Sequence, residues 1–90
     1  MNTPANQYSP DYVVSPGWVL EEYLETRGIS QSELARRCGC SPKLISAIVA
    51  GAAPIGPETA LQFEKALGLT AAIWLGIESD YRHHQEQAVE

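Results

Sequence analysis

The stretch QSELARRCGCSPKLISAIVA, Gln31 to Ala50, decides how this chain folds. Ser30 stands just before it and Glu33 three residues after that serine. Serine and glutamate at this spacing form a capping box, in which each side chain satisfies a backbone N–H at the other's position. A helix that starts there stops at Gly39, because glycine adopts the left-handed conformation that closes a helix at little cost. The next helix begins almost at once, with Ser41 as its N-cap and Pro42 in the first position, where a missing N–H costs nothing. Only Gly39 and Cys40 remain for the turn, and helices joined this tightly must cross steeply. Such a crossing needs a small residue where the two axes approach, and Ala35 supplies it. Leu34, Cys38, Cys40, Ile45 and Ile48 are apolar at positions that close a shared core, while Ser32, Arg36, Arg37, Lys43 and Ser46 fall outside it. The pattern predicts a helix-turn-helix; an ordinary helical hairpin in a bundle is the alternative it leaves open.

Working outward, the same start and stop signals define three more helices. The first has Ser15 as N-cap, Pro16 in its first turn and Gly28 as its stop. The third ends at Gly51, the fourth runs from Gly56-Pro57 to Gly68, and the fifth starts at Thr70 with no clear stop before about Gln85. At each start the residue before the cap and the fourth helical residue form an apolar pair: Val14 with Val19, Ile29 with Leu34, Cys40 with Ile45, Ile55 with Ala60, Leu69 with Trp74. These are hydrophobic staples, which fix the angle at which the chain enters a helix. No segment alternates as a strand does. The expected fold is all-α, a five-helix bundle with a central helix-turn-helix of the repressor-like, DNA-binding kind. Residues 14–85 form the domain, 1–13 (with Pro4 and Pro10) a flexible arm, and 86–90 a tail.

Charge is distributed unevenly. The net charge is −5 over 90 residues, which is unfavourable for a nucleic-acid binder as a sum. Yet residues 26–57 carry Arg27, Arg36, Arg37 and Lys43 against Glu33 alone, whereas residues 1–25 hold Asp11, Glu21, Glu22 and Glu25 and no base. The positive stretch coincides with the helix-turn-helix. Cys38 and Cys40 would close a small strained ring if bridged, and they occupy core positions, so neither a disulfide nor a metal site is expected. There is no nucleophile–base pair or glycine-rich phosphate loop, and the expectation is of a protein that is not an enzyme and needs no cofactor. A polar start and the lack of any long apolar run suggest a soluble, cytoplasmic chain.

These residues also carry a family resemblance. Ser15-Pro-Gly17, Gly28-Ile-Ser-Gln-Ser-Glu-Leu-Ala35, Gly39-Cys-Ser-Pro42, Ile45-Ser46, Ala53-Pro-Ile55, Glu58-Thr-Ala-Leu61, Ala66-Leu-Gly68 and Trp74-Leu75 resemble the HigA-type antitoxins, members of the XRE group of helix-turn-helix regulators. The resemblance implies a homodimer that binds palindromic operator DNA and represses its own operon, with an mRNA-cleaving HigB-type toxin as protein partner. Carried over, it puts Gln31 on a phosphate at the start of the second helix. It puts Ser41, Pro42, Lys43, Leu44, Ser46 and Ala47 on the outward face of the third, where base edges are read. Arg36 and Arg37 complete the expected DNA surface, with Arg27 as a further phosphate candidate. The chain departs from the family at Ala47, where a basic residue is common, and at Ala50-Gly51-Ala52-Ala53, which replaces a basic Asn-Gly-Lys/Arg loop. Two other functions therefore stay open: the DNA-binding segment of a longer metallopeptidase-like regulator, and an interaction module that has lost DNA binding.

On the fifth helix Trp74, Ile77 and Tyr81 form one stripe, read as core or dimer contact. Leu75 points away from it, and Trp74, Leu75, Glu78 and Tyr81 are the expected dimer residues. His83, His84 and Glu86 read as a solvated helix end. Trp18 is equally compatible with a packed and an exposed position.

Overall fold

The computed structural model describes residues 13–88, with side chains as far as Glu86. The helices are α1 (Pro16–Arg27), α2 (Gln31–Cys38), α3 (Pro42–Val49), α4 (Pro57–Leu67) and α5 (Ala71–Ala88), and the described residues contain no strand. The expected arm falls, apart from Val13, outside the described residues, as do residues 89–90 of the expected tail.

The capping signals work as the residue types require. Ser15, Ser30 and Ser41 are extended, and their hydroxyls accept hydrogen bonds from the amides of Trp18, Glu33 and Leu44 at 3.1, 3.0 and 3.0 Å. Each such cap contributes about 1 kcal/mol to its helix. α4 starts at Gly56 with no side-chain cap, and Pro57 removes one of the amides that would need one. At α5 the amide of Ile73 donates to Thr70 Oγ1 and that of Ala71 to Glu64 Oε1 on α4. Gly39 has φ +71°, and the amide of Cys40 then donates back to the Ala35 carbonyl at 3.0 Å, which closes α2 and turns the chain into α3. The α3 helix ends earlier than expected, at Val49, with Ala50 as a right-handed cap before Gly51.

The core draws on every helix. Leu20 and Leu24, Leu34 and Ala35, Ile45 and Ile48, Phe63 and Leu67, and Trp74 are all buried, together with Cys38, Ile55 and Ala60. Trp74 lies at the centre, edge-on to Phe63 with ring centroids 5.3 Å apart and tilted against Tyr23 at 5.9 Å. Its indole N–H finds no acceptor among the described residues, so packing alone holds the ring. Burying an apolar side chain of this kind stabilises by roughly 1.5–3 kcal/mol. Ile29, Cys40 and Leu69 pack against the core and Ile55 lies within it, as the staples predict, whereas Val14 stays 37% exposed.

Two contacts set the position of α3. Gly17, in the first turn of α1, lies so close to the end of α3 that a Cβ there would collide with the carbonyl oxygens of Ile48 and Val49. After α3 the chain is held by Glu78 of α5, whose Oε1 accepts from the Ile55 amide at 3.1 Å and whose Oε2 accepts from Arg82 Nε at 2.6 Å. Both cysteines are free. The Cys40 thiol donates to Gln62 Oε1 at 3.0 Å, and its pKa is pushed up to about 12 by burial and by the neighbouring Cys38 thiol.

Candidate nucleic-acid interface

The inward residues of α3, Ile45 and Ile48, are fully buried, and this anchors the helix with its opposite face outward. Ser41, Pro42, Lys43 and Ser46 are exposed on that face, with Leu44 and Ala47 half-buried beside them. Lys43 has no acidic partner among the described residues. It is a free cation in the first turn of the helix that follows the turn. Gln31 is the first residue of α2 and half-buried. The first amides of a helix have no partner within it and favour an anion, and Gln31 stands at that end of α2, lining a groove with Glu21, Glu22 and Glu25 of α1.

Arg36 and Arg37 are exposed near the end of α2, but they are not free. Both bind the same oxygen, Glu33 Oε2, from Arg36 Nη2 at 2.5 Å and Arg37 Nε at 2.7 Å. Hydrogen bonds from Arg36 first and Arg37 second lower the Glu33 pKa to about 2. The capping box is therefore half formed. Ser30 caps the Glu33 amide as expected, but the carboxylate reaches forward to the arginines instead of back to the Ser30 amide. Each guanidinium has five N–H donors, so donors remain for phosphates while one carboxylate offsets part of the charge. Arg27 is used elsewhere: Nη2 donates to the Leu67 carbonyl at 2.9 Å and the guanidinium lies 4.7 Å from the Tyr23 ring centroid. It clasps the end of α4 to α1 and leaves the expected phosphate set.

The segment after α3 carries no cation, and its amides are already engaged. The amides of Ala50 and Gly51 donate to the Ser46 and Ile48 carbonyls, and those of Ala52 and Ala53 both donate to the Ala47 carbonyl. The cations near α3 are therefore Lys43 and the two arginines of α2.

The expected dimer residues divide differently. Trp74 is 0% exposed and belongs to the core, so it cannot touch a second subunit. Glu78 is buried too, with both carboxylate oxygens occupied by Ile55 and Arg82. Leu75 and Tyr81 are half-buried, and Leu75 packs on the core. The apolar surface that α5 does expose is Ile73, at 49%, with half-buried Ile77 one turn on. Sequence reasoning missed Gly17 as a positioning residue. Its only sign was a glycine inside a helix, where glycine is unfavourable unless something packs close.

The HTH_3 helix-turn-helix family model matches residues 20–74. An addiction module antidote protein of the HigA family from Coxiella burnetii has a similar structure, with a TM-score of 0.74 and 30% identity over 80% of this chain and 79% of that one. The chain is a helix-turn-helix protein of the HigA family. Antitoxin HigA of Pseudomonas aeruginosa, solved with the higBA promoter, is similar at TM-score 0.81 and 26% identity over 84% of each chain. An HTH-type transcriptional regulator of Escherichia coli, YddM, is 28% identical over 64 residues, 71% of this chain and 68% of that protein. Within this HigA-family fold α3 is the second helix of the motif, the one that enters the major groove in helix-turn-helix proteins. No helix of the described residues is long and apolar enough to cross a membrane.

Proposed function

We propose that this chain is an operator-binding repressor and the antitoxin of a HigBA-type pair, acting as a homodimer that represses its own operon. The observation that carries the reading is the outward face of α3, where unpaired Lys43 stands among exposed Ser41, Pro42 and Ser46. The Pseudomonas aeruginosa relative was solved with its promoter, which supports DNA as the ligand of this face. In the dimer each α3 reads one half-site of a palindrome, and the half-sites lie about one helical turn, roughly 34 Å, apart. Lys43 reaches base edges. Arg36, Arg37, Gln31 and the two helix starts hold phosphates, which fixes register without reading sequence. Residues 14–85 form the operator-binding unit, between an arm over 1–13 and a tail over 86–90. The two subunits meet through α5 along Ile73 and Ile77, with Tyr81 at the margin. The protein partner is a HigB-type, mRNA-cleaving toxin.

A titration against the DNA upstream of the chain's own gene tests the reading. Tight binding at low salt is expected. Lys43→Ala should cost about 1–3 kcal/mol and relax sequence preference at one position per half-site. In parallel, Ile73→Glu should convert a sedimenting dimer to monomer and weaken operator binding. Failure to bind at low salt would overturn the repressor reading. It would favour an interaction module instead, a reading that the cation-free segment Ala50–Ala53 also supports.

A further inference from the structure

The outward face of α1 carries none of the three cations assigned to the operator surface. Trp18 on that face is 54% exposed, whereas the chain's other tryptophan is fully buried. Val13, Val14, Ser15 and Trp18, with Tyr81 of α5, line an open groove of about 370 Å³. Glu21, Glu22 and Glu25 follow Trp18 at three, four and seven residues, so they share its side of the helix. All three are exposed, and none has a cationic partner among the described residues. The one base of α1, Arg27, is turned onto Tyr23 and Leu67. These three glutamates also line a second groove, of about 400 Å³, with Leu24 and Ile29 beside them and Ser30 and Gln31 at the start of α2 on its rim. The face is thus an exposed indole beside an apolar groove, continued by unneutralised carboxylates.

We propose that this face of α1 is the docking surface for the basic toxin partner, an inference that rests on the antitoxin reading above. A protein that binds and cleaves RNA must present cations to a polyanion. Three carboxylates without counter-ions are the electrostatic complement of such a surface. Tryptophan is among the residue types that carry most of the energy at interface centres, when a partner pocket desolvates it. Charge disfavours two other occupants. A second copy using the same face would set two such acidic clusters against each other, and DNA would be repelled by them. The occupant that fits is a cation-rich protein with an apolar pocket for Trp18.

The test uses the full chain and the purified product of the neighbouring toxin gene, with affinity measured by calorimetry across a salt series. Trp18→Ala should weaken binding by roughly 30-fold, the size of a hot-spot truncation. Combined Glu21→Gln, Glu22→Gln and Glu25→Gln should weaken it and flatten its salt dependence. Leu61→Ala, which removes an exposed apolar side chain on α4, should leave it unchanged. Melting temperature serves as the folding control and should match the wild type in all variants, and promoter binding should match it in Trp18→Ala and Leu61→Ala. If the wild type binds and both α1 variants bind equally well, the docking surface is overturned while the antitoxin reading stands. If the wild type does not bind the toxin at all, that reading falls and takes this proposal with it. If Trp18→Ala alone changes the sedimentation of the isolated chain, the face meets a second copy, which also overturns the proposal.

Discussion

Glu33 stands at two meaningful spacings at once: three residues after Ser30, and three and four before Arg36 and Arg37. The first spacing predicts a carboxylate folded back on a neutral amide, and the second a carboxylate paired with cations along the helix. In the structure the arginines hold it, as expected when charge-assisted hydrogen bonds compete with one to a neutral donor. The serine half of the cap was legible because nothing else competes for that hydroxyl. The glutamate half was not, since one side chain had two permitted partners. The pairing implies that Glu33 restrains DNA binding by occupying the cations that phosphates would use. Glu33→Gln should therefore bind operator DNA a few-fold tighter than the wild type in parallel titrations, and equal or weaker binding would refute the restraint. The same variant has a pH signature. Because the folded-state pKa of about 2 lies below the ordinary 4.5, stability from the ionised carboxylate is fully present above 4.5 and is lost as pH falls through about 2. The difference in melting temperature between wild type and Glu33→Gln should close over that window and stay constant at neutral pH.

Most helix boundaries were readable because they rest on a local device, a serine, a proline or a glycine at a fixed place in the turn; the end of α5, which has none, was not. What each helix face packs against was not. The stripe Trp74–Ile77–Tyr81 was visible as a stripe, but periodicity does not say whether a neighbouring helix or a second subunit covers it. The aromatic cluster of Tyr23 and Phe63 takes Trp74 into the core. Likewise Gly17 read as one more weak helix former, although it permits α1 to lie against the end of α3. Replacing glycine by alanine within a helix ordinarily gains about 0.5–1 kcal/mol. Here Gly17→Ala should lose about 1–3 kcal/mol through overpacking, so the sign measured by chemical denaturation decides whether the contact exists. The Glu78 clasp makes a second, graded prediction. Glu78→Ala leaves the buried Ile55 amide without its acceptor and should cost about 1–3 kcal/mol. Glu78→Gln keeps an acceptor oxygen and should cost less. Equal losses would show that the charge pair with Arg82, not the Ile55 hydrogen bond, holds the segment after α3.

At the scale of the whole molecule the difficulty is how a chain of net charge −5 approaches DNA. The partition of charge along the sequence already indicated an answer, because its one positive stretch is the helix-turn-helix. The structure narrows that stretch by removing Arg27 to the end of α4. Arg36, Arg37 and Lys43 remain on each chain, six cations in a dimer, and the two Glu33 carboxylates reduce their net charge to four. Each neutralised phosphate releases condensed counterions and contributes roughly −0.9 to the slope of log affinity against log salt. If Glu33 keeps its arginines in the complex, about four phosphate charges are neutralised and the slope is about −3.6; if the arginines leave it, about six are and the slope is about −5.4. The wild type should fall near the shallower value, and Glu33→Gln should move toward the steeper one, since nothing then shares the guanidinium charge. Lys43→Ala should also flatten the slope, by up to about two in a dimer, because an ammonium in the groove displaces counterions although its contact is to a base edge. Affinities measured from low to physiological salt check all three values together. A wild-type slope much steeper than about −5.4 would mean that cations outside α2 and α3 reach the DNA, and the interface would have to be extended to them.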